Sequence, residues 1–307
     1  MSPKPSNMLT ELHCHTTASD GLLGPTALVE LAHSRGIGVL AITDHDTFAA
    51  NAEAAHAGET FGVRVIPGIE VSSLATAGEV HVLGYGIAPT DPRTLDKLAS
   101  LRGVRESRAR GILANLDRLG IHIDFDEVRA LAGDGMIGRP HVARAMVKAG
   151  VVVTQQQAFD EYLAEGKPAF MRHDGLSPAQ AVQLIHDANS IAVLAHPSLF
   201  RGELDALLDD MLAAGLDGIE TYYPWHTPEQ IQHYERIARE HNLVRTGGSD
   251  FHGVYGDREI TLGSMHVPDE CLADLDARIA ARRGSGKLTK ENTDRTEAAE
   301  EKKEIRD

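Results

Sequence analysis

Short apolar runs of strand length alternate with stretches of helical spacing along most of the chain. Residues 9–12, 39–42, 63–69, 80–83, 191–194, 218–221 and 243–246 form the runs, and they are rich in branched aliphatic side chains. Between them, residues 25–34, 47–60, 177–189, 203–214 and 228–241 repeat apolar positions at helical spacing, several opening on Pro or Ser/Thr. Alternating β and α units predict a mainly parallel sheet, open or closed, with functional residues just beyond the carboxyl ends of its strands. The alternation breaks between residues 91 and 172, where the spacing is helical throughout and one long helix is predicted over 95–119. This predicts a discontinuous α/β domain, 8–90 and 173–283, interrupted by a helical insert over 91–172. Residues 284–307 are charged, and Leu288 and Ile305 are their only large apolar side chains, so a disordered tail is expected there.

A chain of 307 residues is long enough for one domain of barrel size with a smaller insert. Its 42% hydrophobic and 24% charged content is that of a globular protein. No apolar run approaches the roughly 18 residues of a membrane span, and the polar residues 1–7 do not read as a secretory signal. Cys14 and Cys271 alone make no disulfide framework, which leads to the expectation of a cytoplasmic protein. The net charge of −15, from 45 acidic and 30 basic residues, argues against broad attraction to duplex DNA. Nothing in the pattern calls for an obligate protein partner. The 16 histidines change the picture most, because neutral imidazole is the commonest metal ligand among side chains.

Those histidines are placed at the ends of runs. The first run leads into His13-Cys14-His15, with Asp20 on the following loop. Residues i and i+2 of extended chain point to one side, so both imidazoles can reach one ion while Cys14 faces away. The second run ends in Asp44-His45-Asp46, where one aspartate could instead cap a helix starting near Thr47. Glu70 interrupts a run that should be largely buried, and a buried carboxylate needs a cation. His81 lies inside an apolar strand, where a core histidine bonded to backbone would be unremarked. His196 follows the fifth run, and Asp250 and His252 follow the last. Each has a structural alternative taken singly, but six in register at one end of alternating units point to a metal site. Imidazole and carboxylate donors without thiolate suit Mn²⁺, Zn²⁺ or Fe²⁺, and nine donors fit two or three ions bridged by Glu70.

Together, His13-x-His15, Asp20-Gly21, Thr43-Asp44-His45-Asp46, Gly68-Ile69-Glu70, His81, Ala195-His196-Pro197 and Ser249-Asp250-x-His252 resemble the PHP superfamily of polymerase and histidinol phosphatase domains, over residues 9–267. The resemblance implies a distorted (β/α)7 barrel with three divalent ions per chain. It implies that His13, His15, Glu70 and Asp250 hold one ion, Glu70, His81 and His196 a second, and Asp20, His45 and His252 a third. A catalytic hydroxide held by Glu70 and Asp250 would bridge the group with the substrate phosphate. The insert resembles that of 3′,5′-nucleoside bisphosphate phosphatases and of 5′–3′ exoribonucleases acting on short RNA, which implies a nucleotide or short RNA as substrate.

The insert gathers cations in an otherwise acidic chain. Arg102, Arg105 and Arg108 recur every three residues on its long helix, and Arg139 and His141 open another. A basic stripe is ordinarily a solvated face, and Arg102 fits that reading equally well. Arg105, Arg108 and Arg139, with His141, are expected to grip a second, non-reacting phosphate. His141, Arg172, His173 and His226 are the candidates for protonating a leaving oxygen, while His33, His56, His122, His186, His233 and His241 read as surface groups. The competing readings are a histidinol-phosphate or other small phosphomonoester phosphatase, a non-catalytic module of a polymerase, and an amidohydrolase. The intact donor set argues against the module, and the lack of a lysine at a strand end argues against the amidohydrolase.

Overall fold

The structure, a computed structural model, describes residues 8–88, 92–172, 175–253 and 260–284. His173 and residues 285–307 of the expected tail lie outside the described residues. Seven strands, β1 (Leu9–Glu11), β2 (Ile37–Ile42), β3 (Arg64–Ala75), β4 (Gly78–Tyr85), β5 (Ile191–Leu194), β6 (Gly218–Tyr222) and β7 (Val244–Gly247), follow one another in sequence order across one sheet. All neighbours are parallel except β4, which is antiparallel to β3 and to β5. Only Thr76 and Ala77 separate β3 from β4, and so short a link permits only an antiparallel return. Every predicted run forms a strand, and β3 and β4 run on past theirs as this hairpin.

The two edges of the row are joined. Leu12 N donates to Gly247 O at 3.2 Å, Asp250 N to His13 O at 2.8 Å and His15 N to Phe251 O at 2.9 Å. The buried Glu11 carboxylate holds the seam by accepting from Ser249 N at 2.8 Å, Gly263 N at 2.9 Å and His13 N at 3.1 Å. Gly248 is required at this approach, since a Cβ there would lie 2.4 Å from both Glu11 Oε1 and His13 N. Leu12 and residues from each of β2–β7 share one apolar cluster with a helix over 269–284.

Helices α1 (Pro25–Ser34) and α2 (Asn51–Phe61) flank the first strands. The predicted start of α2 near Thr47 is corrected to Asn51, and neither Asp44 nor Asp46 caps it. Residues 44–46 instead keep pairing with β3, Glu70 N donating to Asp44 O at 3.0 Å and Asp46 N to Glu70 O at 2.8 Å. After β4 come, among the described residues, α3 (Pro92–Arg118), α4 (Phe125–Ala132), α5 (Arg139–Lys148) and α6 (Gln155–Ala158), the last running into a π turn (Phe159–Leu163). Their apolar faces, including Ile112, Leu116, Val128 and Met146, form a cluster of their own. Helices α7 (Pro178–Asp187), α8 (Leu204–Ala213) and α9 (Pro228–Glu240) pack on the later strands. The starts of α7 and α9 were legible because Ser177 with Gln180 and Thr227 with Gln230 form capping boxes ahead of Pro at N1. Among the described residues, no helix is long and apolar enough to cross a membrane.

His186, expected at the surface, is half-buried against Asp217 with its Nε2 2.9 Å from the carboxylate. Ala192 N at 2.9 Å and Arg282 Nη2 at 3.1 Å complete a clamp that ties α7, β5 and the helix over 269–284 to the start of β6. Burial raises the Asp217 pKa, but His186, the Ala192 amide and Arg282 outweigh it and hold the carboxyl below its usual range. A depressed carboxyl stabilises the fold above the unfolded value of roughly 3.9 and loses that contribution as pH falls through the folded value. Asp217→Asn should therefore lower stability at neutral pH by about 1.5–3 kcal/mol and flatten the acid limb of the stability profile. Urea unfolding from pH 3 to 7 measures both, and an unchanged midpoint at pH 7 would remove the clamp from the account.

Candidate metal centre

His13 and His15 extend from β1 as the alternation requires, while Cys14 points away and donates its thiol to Ala41 O at 3.1 Å. His45 follows β2, Glu70 lies in β3, and His196, Asp250 and His252 follow β5 and β7. Because β4 runs antiparallel, His81 reaches the same end from within its strand, paired with Ser72. Asp46, His196 and Asp250 take positive φ angles of 54°, 24° and 54°, turning the chain sharply where the donors are presented.

Glu70 is the hub. Its oxygens lie 2.9 Å from His45 Nδ1, 2.9 Å from His81 Nδ1, 3.0 Å from His196 Nε2, 3.3 Å from His15 Nε2 and 3.5 Å from His13 Nε2. Asp250 Oδ1 is 3.1 Å from His15 Nε2 and 3.3 Å from His13 Nε2, and Asp20 Oδ1 is 3.3 Å from His252 Nε2. All nine predicted donors fall into groups whose donor atoms lie within 4.8 Å of one another: His15, Asp20, His45 and His252; His13, Glu70 and His196; His13, His15 and Asp250; and His45, Glu70 and His81.

Contacts this short are mostly not hydrogen bonds. His13 Nε2, His15 Nε2, His45 Nδ1, His81 Nδ1, Glu70 Oε2 and Asp250 Oδ1 are buried without a hydrogen-bond partner. Buried polar atoms are nearly always bonded, so lone pairs converging in one cavity fit divalent cations as their missing partners. Burial pushes Glu70 and Asp250 up, but the surrounding imidazoles, led by His45 for Glu70 and His13 for Asp250, hold both well below the carboxylate range. Burial lowers His252, yet Asp20 and Asp250 raise it to about 10.

Glu220 belongs to the same centre. Fully buried in β6, it faces His13 Nδ1 at 2.9 Å and accepts from His196 N at 2.7 Å. A carboxylate has no hydrogen to give, so His13 Nδ1 carries a proton, and the ring nitrogen left to meet a cation is Nε2, directed at Glu70 and Asp250. The available signal was a carboxylate inside an apolar run, the same mark that singled out Glu70. Asp44 performs a similar task, accepting from Thr16 N at 2.7 Å and Ser19 Oγ at 2.6 Å on the loop that carries Asp20. Tyr223 Oη, also not anticipated, donates to Asp250 Oδ2 at 3.1 Å.

A cleft of about 180 Å³ beside Asp20, His45, His81 and His252 is lined on its other side by Arg105, Arg108 and Arg139. Arg105 pairs with Asp46 at 2.5 Å, Arg108 with Glu79 Oε1 at 2.5 Å, and Arg139 with the other oxygen of Glu79. Burial lowers Arg108 to about 10, with Glu79 opposing, so it stays protonated at neutral pH, and its buried Nη2 has no hydrogen-bond partner. Arg102 is apart, donating to Asp134 O at 3.1 Å. His141, expected among the phosphate contacts, does not line the cleft. It is buried, its Nδ1 accepts from Gly138 N at 2.9 Å at the start of α5, and burial pushes its pKa down to about 4. Arg172 donates to Ala75 O and Thr76 O at 3.1 Å, and His226 Nδ1 bonds Thr221 O at 2.9 Å, so neither contacts a donor directly.

Residues 11–132 match the sequence profile of the PHP domain. Over 245 residues the chain is 40% identical to a 5′–3′ exoribonuclease of Haemophilus influenzae, an alignment that spans 79% of this chain and 89% of the relative. The chain belongs to the PHP family. A 3′,5′-nucleoside bisphosphate phosphatase of Chromobacterium violaceum is 37% identical over 277 residues, 88% of this PHP chain and 97% of that one. A structure from Bifidobacterium adolescentis, described as a metal-dependent phosphoesterase, superposes with a TM-score of 0.81 at 33% identity, over 90% of this chain and 98% of its own. This PHP protein is a hydrolase of phosphate esters, and its histidine and carboxylate clusters fit divalent metal ions.

Two outcomes are expected of the PHP centre. Glu220→Gln should weaken metal affinity on the order of 10–100-fold with the fold retained, as loss of a carboxylate behind a ligating histidine does. Metal content after dialysis and circular dichroism measure this, and undiminished binding would show that Glu220 does not orient His13. Because His252, at about 10, is protonated at neutral pH and must lose its proton to bind a cation, binding should release protons and tighten as pH rises. Titration calorimetry in buffers of different ionisation enthalpy reads the proton count, and zero release at pH 7 contradicts the assignment.

Proposed function

We propose that this phosphoesterase acts on nucleotides, removing the 3′ phosphate of 3′,5′-nucleoside bisphosphates and degrading short 5′-phosphorylated RNA. The observation that carries the reading is the arginine trio in the cleft that also holds the metal-donor side chains, with Arg108 Nη2 buried and lacking a partner. A buried guanidinium N–H without an acceptor is costly, and a phosphate oxygen supplies one. A monophosphate small enough to sit on the donors alone would leave that position unsatisfied. The names of two relatives, a 5′–3′ exoribonuclease and a 3′,5′-nucleoside bisphosphate phosphatase, support the reading.

The assignment that accompanies it gives His13, His15, Glu70 and Asp250 to one ion, Glu70, His81 and His196 to another, and Asp20, His45 and His252 to a third, with manganese the foremost candidate. When bound, such ions acidify a water and stabilise charge on phosphoryl oxygens. The chain's own groups do the positioning. Glu220 holds His13 and the backbone before His196, Asp44 holds the Asp20 loop, and Arg105 braces Asp46 between β3 and α3. Arg105, Arg108 and Arg139 anchor the non-reacting phosphate, so binding energy remote from the reacting bond orients the scissile one. The helical region over 91–172 serves as the lid that carries them. Cys14 and Cys271 are buried free thiols, in keeping with a cytoplasmic location.

Protein reconstituted with Mn²⁺ should release phosphate from 3′-phosphoadenosine 5′-phosphate in preference to AMP and histidinol phosphate, and mononucleotides from a 5′-phosphorylated RNA oligomer, with Glu70→Gln inactive. Arg139→Ala should raise KM for the bisphosphate about tenfold to a hundredfold, the contribution of a charged hydrogen bond, and leave a simple ester little changed. Equal effects on the two substrates would remove the second-phosphate role.

A further inference from the structure

A second cavity, of about 280 Å³, adjoins the arginine-lined cleft and shares Glu79, His81, Arg139 and Phe159 with it. Its remaining walls include His196, Phe170, Leu199 and Phe200, with Arg201 and Glu165 also on the lining. The three phenylalanines come from separate segments: Phe159 opens the π turn after α6, Phe170 follows it, and Phe200 lies beyond β5. All three are half-buried, and Leu199 is 52% exposed, so apolar surface faces the cavity without being sealed into either core.

This aromatic wall is tied to the phosphate grip. The Arg108 guanidinium lies 5.7 Å from the Phe170 ring centre, and that of Arg139 lies 5.8 Å from Phe159 and 5.9 Å from Phe170. Gly202 leaves room for Phe200, because a Cβ there would come within 2.5 Å of the Phe200 Cζ. On the other side, His81 and His196 belong to the donor groups around Glu70. A ligand in this cavity therefore touches a metal-donor wall and an arginine wall at once.

We propose that the cavity is the nucleobase site of this enzyme. The inference rests on the nucleotide reading and deepens it. In a nucleoside bisphosphate the base is joined through one ribose to both phosphates, so its site must border both phosphate sites, as this cavity does. A phosphate ester without a base has no use for three phenyl side chains beside two charged subsites. Stacking on aromatic faces accepts any base, since every base has a π face. Glu79, His81, Arg139 and His196 on the lining are engaged with the phosphate and donor groups, and the other charged side chains there, Glu165 and Arg201, are exposed, so they supply no rigid hydrogen-bond pattern to single one base out. The enzyme accordingly takes purine and pyrimidine nucleotides alike.

The test compares adenosine 3′,5′-bisphosphate with ribose 3,5-bisphosphate, which lacks the base, on wild type, Phe170→Ala, Phe200→Ala and Phe170→Trp. Wild type should favour the nucleotide, and Phe200→Ala should lose about fivefold to a hundredfold in kcat/KM on the nucleotide while leaving the abasic substrate unchanged; Phe170→Ala, which also removes a ring beside Arg108 and Arg139, should lose more on the nucleotide than on the abasic substrate. Phe170→Trp should retain the preference. Binding of 2-aminopurine riboside 3′,5′-bisphosphate to metal-free protein, followed by quenching, should weaken by the same factor in the alanine variants. Equal losses on both substrates, or wild type indifferent to the base, would overturn the site while leaving bisphosphate turnover intact. Wild type that prefers neither bisphosphate over a simple ester would overturn the nucleotide reading, and the base site with it.

Discussion

Glu70 is 1% exposed and surrounded by His13, His15, His45, His81 and His196. Burying a carboxylate carries a penalty of several kcal/mol unless opposite charge and directed bonds meet it, and here the imidazoles alone leave one of its oxygens and several ring nitrogens unbonded. Divalent cations resolve that conflict, and the rest of the architecture serves to bring the donors to them. His13 and Asp250 meet only because the ends of β1 and β7 are bonded together across the seam held by Glu11. The contacts that join the ends of β1 and β7 are thus also the ones that bring these donors together.

Around the donors runs a set of groups that fix direction. Glu220, Asp44 and Tyr223 hold His13, the Asp20 loop and Asp250 through hydrogen bonds to side chain and backbone. These bonds, with the pairing of residues 44–46 to β3, hold in place the turns at Asp46, His196 and Asp250, whose backbone conformations are disfavoured for residues other than glycine. Asp46 extends the arrangement outward by accepting from both Ser72 N and Arg105. The helical region is thereby linked to the donor loops by a charge pair as well as by packing.

That region reconciles an acidic chain with an anionic substrate. Its own apolar cluster makes it a stable platform, and its arginines turn back toward the strand ends, where Asp46 and Glu79 balance part of their charge. The remaining positive charge is local and enclosed, while the net charge of −15 discourages long polyanions from the outside.

Much of this was legible in the sequence because it depends on local period. Strand and helix positions follow from apolar spacing and capping boxes, and His13, His15, His45, Glu70, His196, Asp250 and His252 stand out because ionisable groups at the ends of, or inside, buried strands need a reason. His81 is ambiguous by the same logic, since period does not reveal that its strand runs antiparallel and so, opposite Ser72, brings its ring within reach of Glu70. Glu220 carries the same mark as Glu70, but nothing local points to its partner, His13, which is 207 residues away. One of Asp44 and Asp46 reads as a helix cap, and His186 as a surface group, because capping and exposure are the local defaults. Only tertiary structure could show that Asp44 holds the Asp20 loop, that His186 meets Asp217, that His141 caps α5 instead of facing the cleft, and that Arg108 and Arg139 share Glu79. Residue type and spacing set which groups can bind a cation or an anion, but which of them face one another depends on how distant strands and helices close in space.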